Sequence, residues 1–339
     1  MSVENPPGLD LRRLRAHLDE VRPGLVTGPL TGELIEGGRS NLTYSVTDGA
    51  TRWVVRRPPL GHVLPTAHDM AREYRVISAL ADTPVPVPGT VTLCEDETVI
   101  GARFYVMDFV TGVPLRRAEQ LAPRGPERTR DIALRLIDTL AALHSVDPAD
   151  VGLGDFGRPE GFLERQVRRW GKQLDASRSR DLPGIDELRA RLAENVPASG
   201  PAAIVHGDYR LDNALVDEDD RITAVLDWEM STLGDPLTDL GLMLVYFSEE
   251  ILATPGPGDV HRAPGFPGGD ELIARYAERS GRDVSRLDWY TGLAFFKLAV
   301  ILEGIHYRYT QGKTVGRNFD YIGEVVPVLV EGGLKRLSG

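Results

Sequence analysis

The sequence predicts an α+β fold in two unequal parts. A small antiparallel sheet with one main helix comes first, and a larger, mostly helical part carrying a β-hairpin follows. Three observations predict this. Short β-branched and aromatic runs separated by Gly-Gly and Asp-Gly turns crowd into residues 33–109. Apolar residues at three- and four-residue steps dominate from Glu127 onward. Between the helices, Ile204–Asp227 (IVHGDYRLDNALVDEDDRITAVLD) places two apolar segments, Ala214–Val216 and Ile222–Leu226, around the polar run Asp217–Arg221. The division expected is residues 1–110 for the first part and 111–339 for the second.

The elements follow in order. Leu11, Leu14, Leu18 and Val21 fall at helical spacing, so residues 9–21 read as an amphipathic helix on the outside of the first part. Glu33–Pro59 reads as strand, glycine turn, strand, Asp-Gly turn, strand. Pro58–Pro65 is a loop, and His68–Leu80 is a helix with Tyr74, Ile77 and Leu80 on one stripe. Thr83–Pro88 is a stiff extended connector. Val91–Cys94 and Phe104–Phe109 complete a five-stranded sheet, and Val110-Thr111-Gly112 leads out of it. The second part has helices over 127–146, 161–175, 185–195, 235–247 and 287–309, with Pro/Gly-rich Thr254–Gly269 read as a mobile loop. In the 235–247 helix, Asp235 is placed as the N-cap and Pro236 at the first helical position.

Composition bounds the function. At 339 residues the chain has ample core for two parts, and its 42% hydrophobic and 26% charged content is that of an ordinary soluble protein. A net charge of −11 argues against a nucleic-acid partner, because neutralising phosphates requires a basic surface. The single cysteine, Cys94, forms no internal disulfide and fits a reducing, cytoplasmic setting. The opening MSVENPPGLD lacks the basic-then-apolar build of a signal peptide. No stretch approaches the ~20 apolar residues of a membrane span; even Leu293–Ile305 is interrupted by Lys297 and Glu303. The expectation is a cytoplasmic protein without membrane or nucleic-acid partners, and composition leaves open whether it forms a homodimer.

The hairpin carries the chemistry. In an antiparallel hairpin the residue entering the first strand lies beside the one leaving the second, which puts Asn213 and Asp227 at a common point. One amide oxygen and one carboxylate suit Mg²⁺, a hard cation that keeps several waters. Asp208 stands five residues before Asn213, just after the short apolar segment Ala203–Val205. A carboxylate beside the metal pair, but not needed as a ligand, is placed to orient a hydroxyl and accept its proton. Each of these residues taken alone reads as turn chemistry; their coincidence is what points to a site.

His206-Gly207-Asp208, Asn213 and Asp227 follow the spacing of H-R-D-x-x-x-x-N and the D-F-G aspartate in protein kinases. With H-x-D-x-x-x-x-N and no glycine after the metal aspartate, the segment resembles the aminoglycoside phosphotransferase and choline kinase superfamily. Asp227-Trp228-Glu229 followed by Gly234-Asp235-Pro236-Leu237-Thr238-Asp239-Leu240 is similar to one branch, the kinase-like domain fused to acyl-CoA dehydrogenases together with free-standing bacterial relatives. The resemblance covers about residues 30–330. It implies a two-lobed protein-kinase-like fold, ATP and Mg²⁺ as cofactors, and transfer of the γ-phosphate to a hydroxyl of a small-molecule acceptor.

Further residues enter through that resemblance. Trp53-Val54-Val55-Arg56 aligns with the kinase V-A-I-K strand, so Arg56 stands where a lysine holds phosphates, and Glu73 stands where a helix glutamate pairs that base. A guanidinium keeps the charge but is larger and less point-like. The turn Gly37-Gly38-Arg39-Ser40-Asn41 would cover the triphosphate with backbone N–H groups and the Ser40 hydroxyl, although it lacks G-x-G-x-x-G. Asp108 and Val110 fall at the hinge, where main-chain groups would face the adenine. Asp235-Pro236 comes only eight residues after Asp227, which leaves no room for a phosphorylated activation segment. The acceptor that the branch resemblance implies is a hydroxy-acyl compound, free or as a thioester; the aromatic and aliphatic C-terminal helices, with few acids for a polycation, suit a partly apolar acceptor. The alternatives are an aminoglycoside-type antibiotic kinase and a catalytically silent nucleotide-binding regulatory module.

Overall fold

A computed structural model describes residues 5–35, 41–61, 69–252, 258–312 and 321–338. The chain forms two compact units, one from Met1–Gly112 with Thr223–Glu229, the other from Val113–Ile222 with Met230–Gly339.

The first unit is built on a five-stranded antiparallel sheet in the order β1 (Thr31–Leu34), β2 (Leu42–Thr47), β3 (Arg52–Arg57), β5 (Phe104–Asp108), β4 (Thr90–Cys94). Alternation along the strands gives the sheet two faces. Tyr44, Trp53, Val55, Phe104 and Val106 pack on Leu11, Leu14 and Leu18 of the Leu11–Val21 helix. Asp10 caps that helix, its carboxylate accepting from the Arg12 and Arg13 amides. Arg57 shares this face and is buried, donating to the carbonyls of Gly8 (2.6 Å) and Ile100 (3.0 Å). It therefore ties the N-terminal segment and a distant loop to the sheet. Arg56 points to the other face, that of the Met70–Leu80 helix, which Asp69 caps through the Arg72 amide. The helix expected from His68 starts at Met70, and residues 62–68 lie outside the described residues.

The second unit is mainly helical, with helices at Gly125–Ser145, Phe162–Ser177, Ile185–Glu194, Leu237–Tyr246, Gly269–Ser280, Leu287–Thr310 and Ile322–Arg336. Strand Ala203–Val205 pairs antiparallel with Thr232–Gly234, and Ala214–Val216 with Val113–Pro114. The turn after Ala214–Val216 closes through Asp217 N–H to the Arg221 carbonyl at 3.0 Å. Asp220 takes a left-handed φ of 62° there and is clamped by Arg124, just before the Gly125–Ser145 helix, and by Arg128 within it. The segment expected as a mobile loop is anchored from 258 on. The Asp259 amide donates to the Arg116 carbonyl at 3.0 Å, its carboxylate accepts from the Ala118 amide at 2.9 Å, and Val260 and Ala263 are buried. Residues 253–257 lie outside the described residues. Among the described residues no helix is long and apolar enough to cross a membrane.

Candidate active site

In the first unit, Arg56 gathers the acids. Its Nε lies 2.9 Å from Glu73 Oε2, and its Nη2 donates to Asp227 Oδ1 at 2.6 Å. The Nε–H is not aimed at a hydrogen-bond acceptor, so the Glu73 contact is one of charge. Glu229 Oε2 stands 3.9 Å from the same Nη2. Asn41 bridges the carboxylates, its Nδ2 donating to Glu73 Oε1 (3.2 Å) and Glu229 Oε2 (3.3 Å), while the Tyr105 hydroxyl donates to Glu73 Oε2 at 3.0 Å. Burial pushes the Glu73 carboxyl up to about 7, against the opposing pull of Arg56 and the Tyr105 hydroxyl. Burial alone would lower the Arg56 guanidinium; Glu73, Tyr105 and Asp227 more than offset it and hold the cation above its ordinary value. Asp227 itself adopts a left-handed φ of 66°. For a residue with a side chain that conformation costs on the order of 1 kcal/mol and is a recurrent feature of functional positions. Trp228 next to it is fully buried, its indole N–H held by the Val225 carbonyl.

Of the other first-unit candidates, Gly37, Gly38, Arg39 and Ser40 lie outside the described residues. The Asp108 amide donates to the Gly89 carbonyl at 2.8 Å and the Phe109 amide to Arg52 at 3.3 Å. Asp108 therefore offers no backbone donor, and the expectation for it narrows to its carbonyl. The Val110 amide makes no hydrogen bond among the described residues.

In the second unit, the loop after strand Ala203–Val205 is shaped by Asp239, whose carboxylate accepts from the amides of His206 (2.6 Å) and Gly207 (2.7 Å). His144 Nε2 bonds the same carboxylate at 3.2 Å while its Nδ1 meets the Tyr276 hydroxyl at 2.8 Å, so His144 is a buried brace. Gly207 has φ 88°, and a Cβ there would sit 2.7 Å from the Met230 carbonyl oxygen, so only glycine fits. His206 is buried and its Nδ1 accepts from the Asp208 amide at 3.2 Å.

Asp208 is presented at the end of this loop. The Tyr246 hydroxyl donates to Oδ1 at 3.0 Å, Asn213 Nδ2 donates to Oδ2 at 3.0 Å, and Arg210 Nε is 3.7 Å from Oδ2. Asn213 Nδ2 also reaches the Asp208 carbonyl at 2.9 Å. Arg210 stacks on the Tyr246 ring at 4.7 Å. The Asn213 amide oxygen and Asp227 Oδ2 accept no hydrogen bond among the described residues. Each is a hard oxygen atom of the type that Mg²⁺ takes.

Beside Gly207 a cavity of about 80 Å³ opens, walled by Phe162, Trp170, Leu242, Tyr290 and Leu293 with Lys297 among its polar groups. The Lys297 ammonium donates to the Gly207 carbonyl at 2.9 Å. Other members of the aromatic C-terminal helix turn away from this cavity. Phe295 and Phe296 are core, Trp289 donates to the Leu192 carbonyl, and Glu303 is buried in a pair with Arg180. Asp235 accepts from the Leu237 amide (3.1 Å) and the Tyr290 hydroxyl (2.9 Å), which makes it a structural residue of the helix start.

The phosphotransferase enzyme family model matches residues 31–290. The chain belongs to that family. A Ralstonia eutropha JMP134 protein, solved as a candidate aminoglycoside phosphotransferase, is 34% identical, covers 97% of this chain and 98% of its own, and superposes with a TM-score of 0.84. A macrolide 2'-phosphotransferase type I shares the fold, with a TM-score of 0.61 at 22% identity over 97% of this chain and 99% of its own. Acyl-CoA dehydrogenase family member 11 of Rattus norvegicus is 36% identical over 335 residues, 96% of this chain. The chain spans 43% of that relative's length. The branch resemblance read from Asp227–Leu240 is thus found across nearly the whole chain, and the fold is the kinase-like one, with a sheet-rich first unit and a helical second unit.

Proposed function

We propose that this phosphotransferase moves the γ-phosphate of ATP to a hydroxyl of a small metabolite of the hydroxy-acyl class, free or as a thioester. The observation that carries the reading is the presentation of Asp208. Its carboxylate is fixed by Tyr246 and Asn213 at the end of a loop that only glycine at 207 permits. Asp208 accepts the acceptor's hydroxyl proton as that oxygen bonds to the γ-phosphorus; the bond from phosphorus to the β,γ-bridging oxygen breaks, and ADP leaves. Arg56, steadied by Glu73, faces the phosphates. Asp227 and Asn213 are the proposed Mg²⁺ ligands, and the ion when bound would offset phosphate charge and fix the phosphates for in-line transfer. The Val110 amide is the backbone donor proposed for the adenine edge, and the Gly37–Asn41 turn is proposed to cover the triphosphate.

For the acceptor, the support is the small, partly apolar cavity beside Gly207. A polycationic antibiotic would need desolvated ammonium groups paired with clustered carboxylates, whereas the one acid of this cavity, Asp239, is already held by backbone amides and His144. The test is ADP release from Mg-ATP by the purified protein with hydroxy acids, their CoA esters, choline, homoserine and kanamycin. Turnover is expected with hydroxy acids or their esters. If kanamycin or choline gave the highest kcat/KM, the acyl assignment would fall; if no acceptor in a broad metabolite set stimulated ADP release, the silent-module reading would replace the kinase.

A further inference from the structure

We propose that Lys297 is a specificity residue that holds an anionic group of the acceptor, so that the preferred substrate is a hydroxy compound bearing a free carboxylate. This rests on the phosphotransferase reading above and deepens it.

Lys297 is the one half-buried residue in the otherwise buried run from Trp289 to Val300, and the space it faces is the cavity beside Gly207. An ammonium has three N–H donors. One is used by the Gly207 carbonyl at 2.9 Å, and the Trp170 ring 5.7 Å away offers a cation–π contact. Lys297 forms no ion pair among the described residues. The nearby Asp239 already accepts from two backbone amides and His144. A second cation, Arg169, lies over the same Trp170 ring at 5.4 Å. Two like charges thus flank one aromatic ring at a partly apolar cavity without a carboxylate between them. Burial pulls the Lys297 ammonium below its ordinary range and Arg169 adds to that, while Asp208 and Asp239 oppose it. A carboxylate entering the cavity would meet two N–H donors and relieve the Arg169–Lys297 repulsion, a charge-assisted contact of the stronger kind. Phe162, Leu242 and Leu293 would cover a short hydrocarbon chain. Lys297 also lies within electrostatic reach of Asp208, the group assigned to the acceptor hydroxyl. The competing role is purely structural, with Lys297 bracing the loop through the Gly207 carbonyl.

Binding and turnover of straight-chain 3-, 4- and 5-hydroxy acids, their methyl esters and their CoA thioesters separate these roles. Calorimetry measures binding without ATP, and ADP release from Mg-ATP measures turnover. Lys297→Gln keeps an N–H for Gly207 and removes the charge; Lys297→Arg keeps the charge. The wild type is expected to bind at least one acid about 10-fold or more tightly than its methyl ester. Lys297→Gln should lose that preference with the ester unaffected, and Lys297→Arg should retain most of it. Equal binding of acid and ester by the wild type overturns the proposal, as does equal weakening of both by Lys297→Gln, absence of binding for every acid, or better turnover of the thioester than of the acid. The wild-type comparison stands even if a variant fails to fold. Acid-selective binding without ADP release would keep the Lys297 assignment and remove the kinase reading. ADP release with a neutral or cationic acceptor alone would do the reverse.

Discussion

Around Arg56, three carboxylates, Glu73, Asp227 and Glu229, share one guanidinium. Around Asp208, one carboxylate is fixed by a tyrosine hydroxyl and an asparagine amide, with Arg210 at 3.7 Å. In the first cluster three carboxylates outnumber the guanidinium they share, so an added cation there would favour their charged forms. The second holds its carboxylate chiefly with neutral donors and stands ready without one. The difference is the one expected of the two halves of phosphoryl transfer. One half must organise a charged nucleotide with its metal, and the other must present a base to a hydroxyl. Substitutions in the two units should therefore fail in different ways.

The largest effect is expected at Asp208. Asparagine there keeps the shape and the contact with Tyr246 but cannot take a proton. Turnover should fall by roughly 10²–10⁴-fold with little change in ATP affinity, measured as kcat under conditions where chemistry limits the rate. Near-normal turnover would remove Asp208 from the role of base. Arg56→Met should act on the fold as well as the reaction. It leaves Glu73, 1% exposed, without its cation, and breaking a buried pair on one side costs about 3–5 kcal/mol. A melting temperature unchanged from wild type would show that the pair carries no such weight. Asp227→Ala and Asn213→Ala should both raise the Mg²⁺ concentration needed for half-maximal rate, Asp227 by the larger factor because it brings charge, roughly 10²-fold in rate at fixed Mg²⁺. If neither variant shifts the metal requirement, these oxygens are not the ligands.

Much of this arrangement is legible locally. Short β-branched and aromatic runs separated by Gly-Gly and Asp-Gly pairs mark the sheet, and His206, Asp208, Asn213 and Asp227 stand out by spacing within one short stretch. The residues that sequence does not single out come from far along the chain. Tyr246 reaches Asp208 from 38 residues away and Lys297 reaches the Gly207 carbonyl from 90. The available signal for Lys297 is a lone cation in an otherwise apolar run, which marks a residue with a reason to be there but does not say what it meets. Arg57 shows the same limit. Alternation sets its face, yet its burial depends on the carbonyls of Gly8 and Ile100, which no local pattern supplies. The burial of Asn41 between two carboxylates is likewise tertiary, since Glu229 lies 188 residues on.

The smallest effect is expected from pH, and it bears on the Arg56 cluster, where burial pushes the Glu73 carboxyl up to about 7. In the folded chain Glu73 releases its proton at about 7, against 4.5 for an ordinary glutamate. Between those values the native state holds a proton that the unfolded chain has lost. By linkage, stability falls as pH rises through that window. Glu73's contribution is fully present below 4.5 and is lost as pH rises through about 7. Glu73→Gln has no proton to lose there, and its amide can still accept from Tyr105. Plots of unfolding free energy against pH for wild type and Glu73→Gln should therefore diverge between 4.5 and about 7. The wild-type curve should drop by on the order of 1–3 kcal/mol relative to the variant. Parallel curves would mean that Arg56 keeps Glu73 ionised throughout. Added Mg-ATP tests the same point from the nucleotide side. A bound cation near the three carboxylates favours their charged forms, so the divergence should shrink and move to lower pH when Mg-ATP is present. It should stay unchanged when Mg-ATP is added to Asp227→Ala if Asp227 is the residue through which the metal is held.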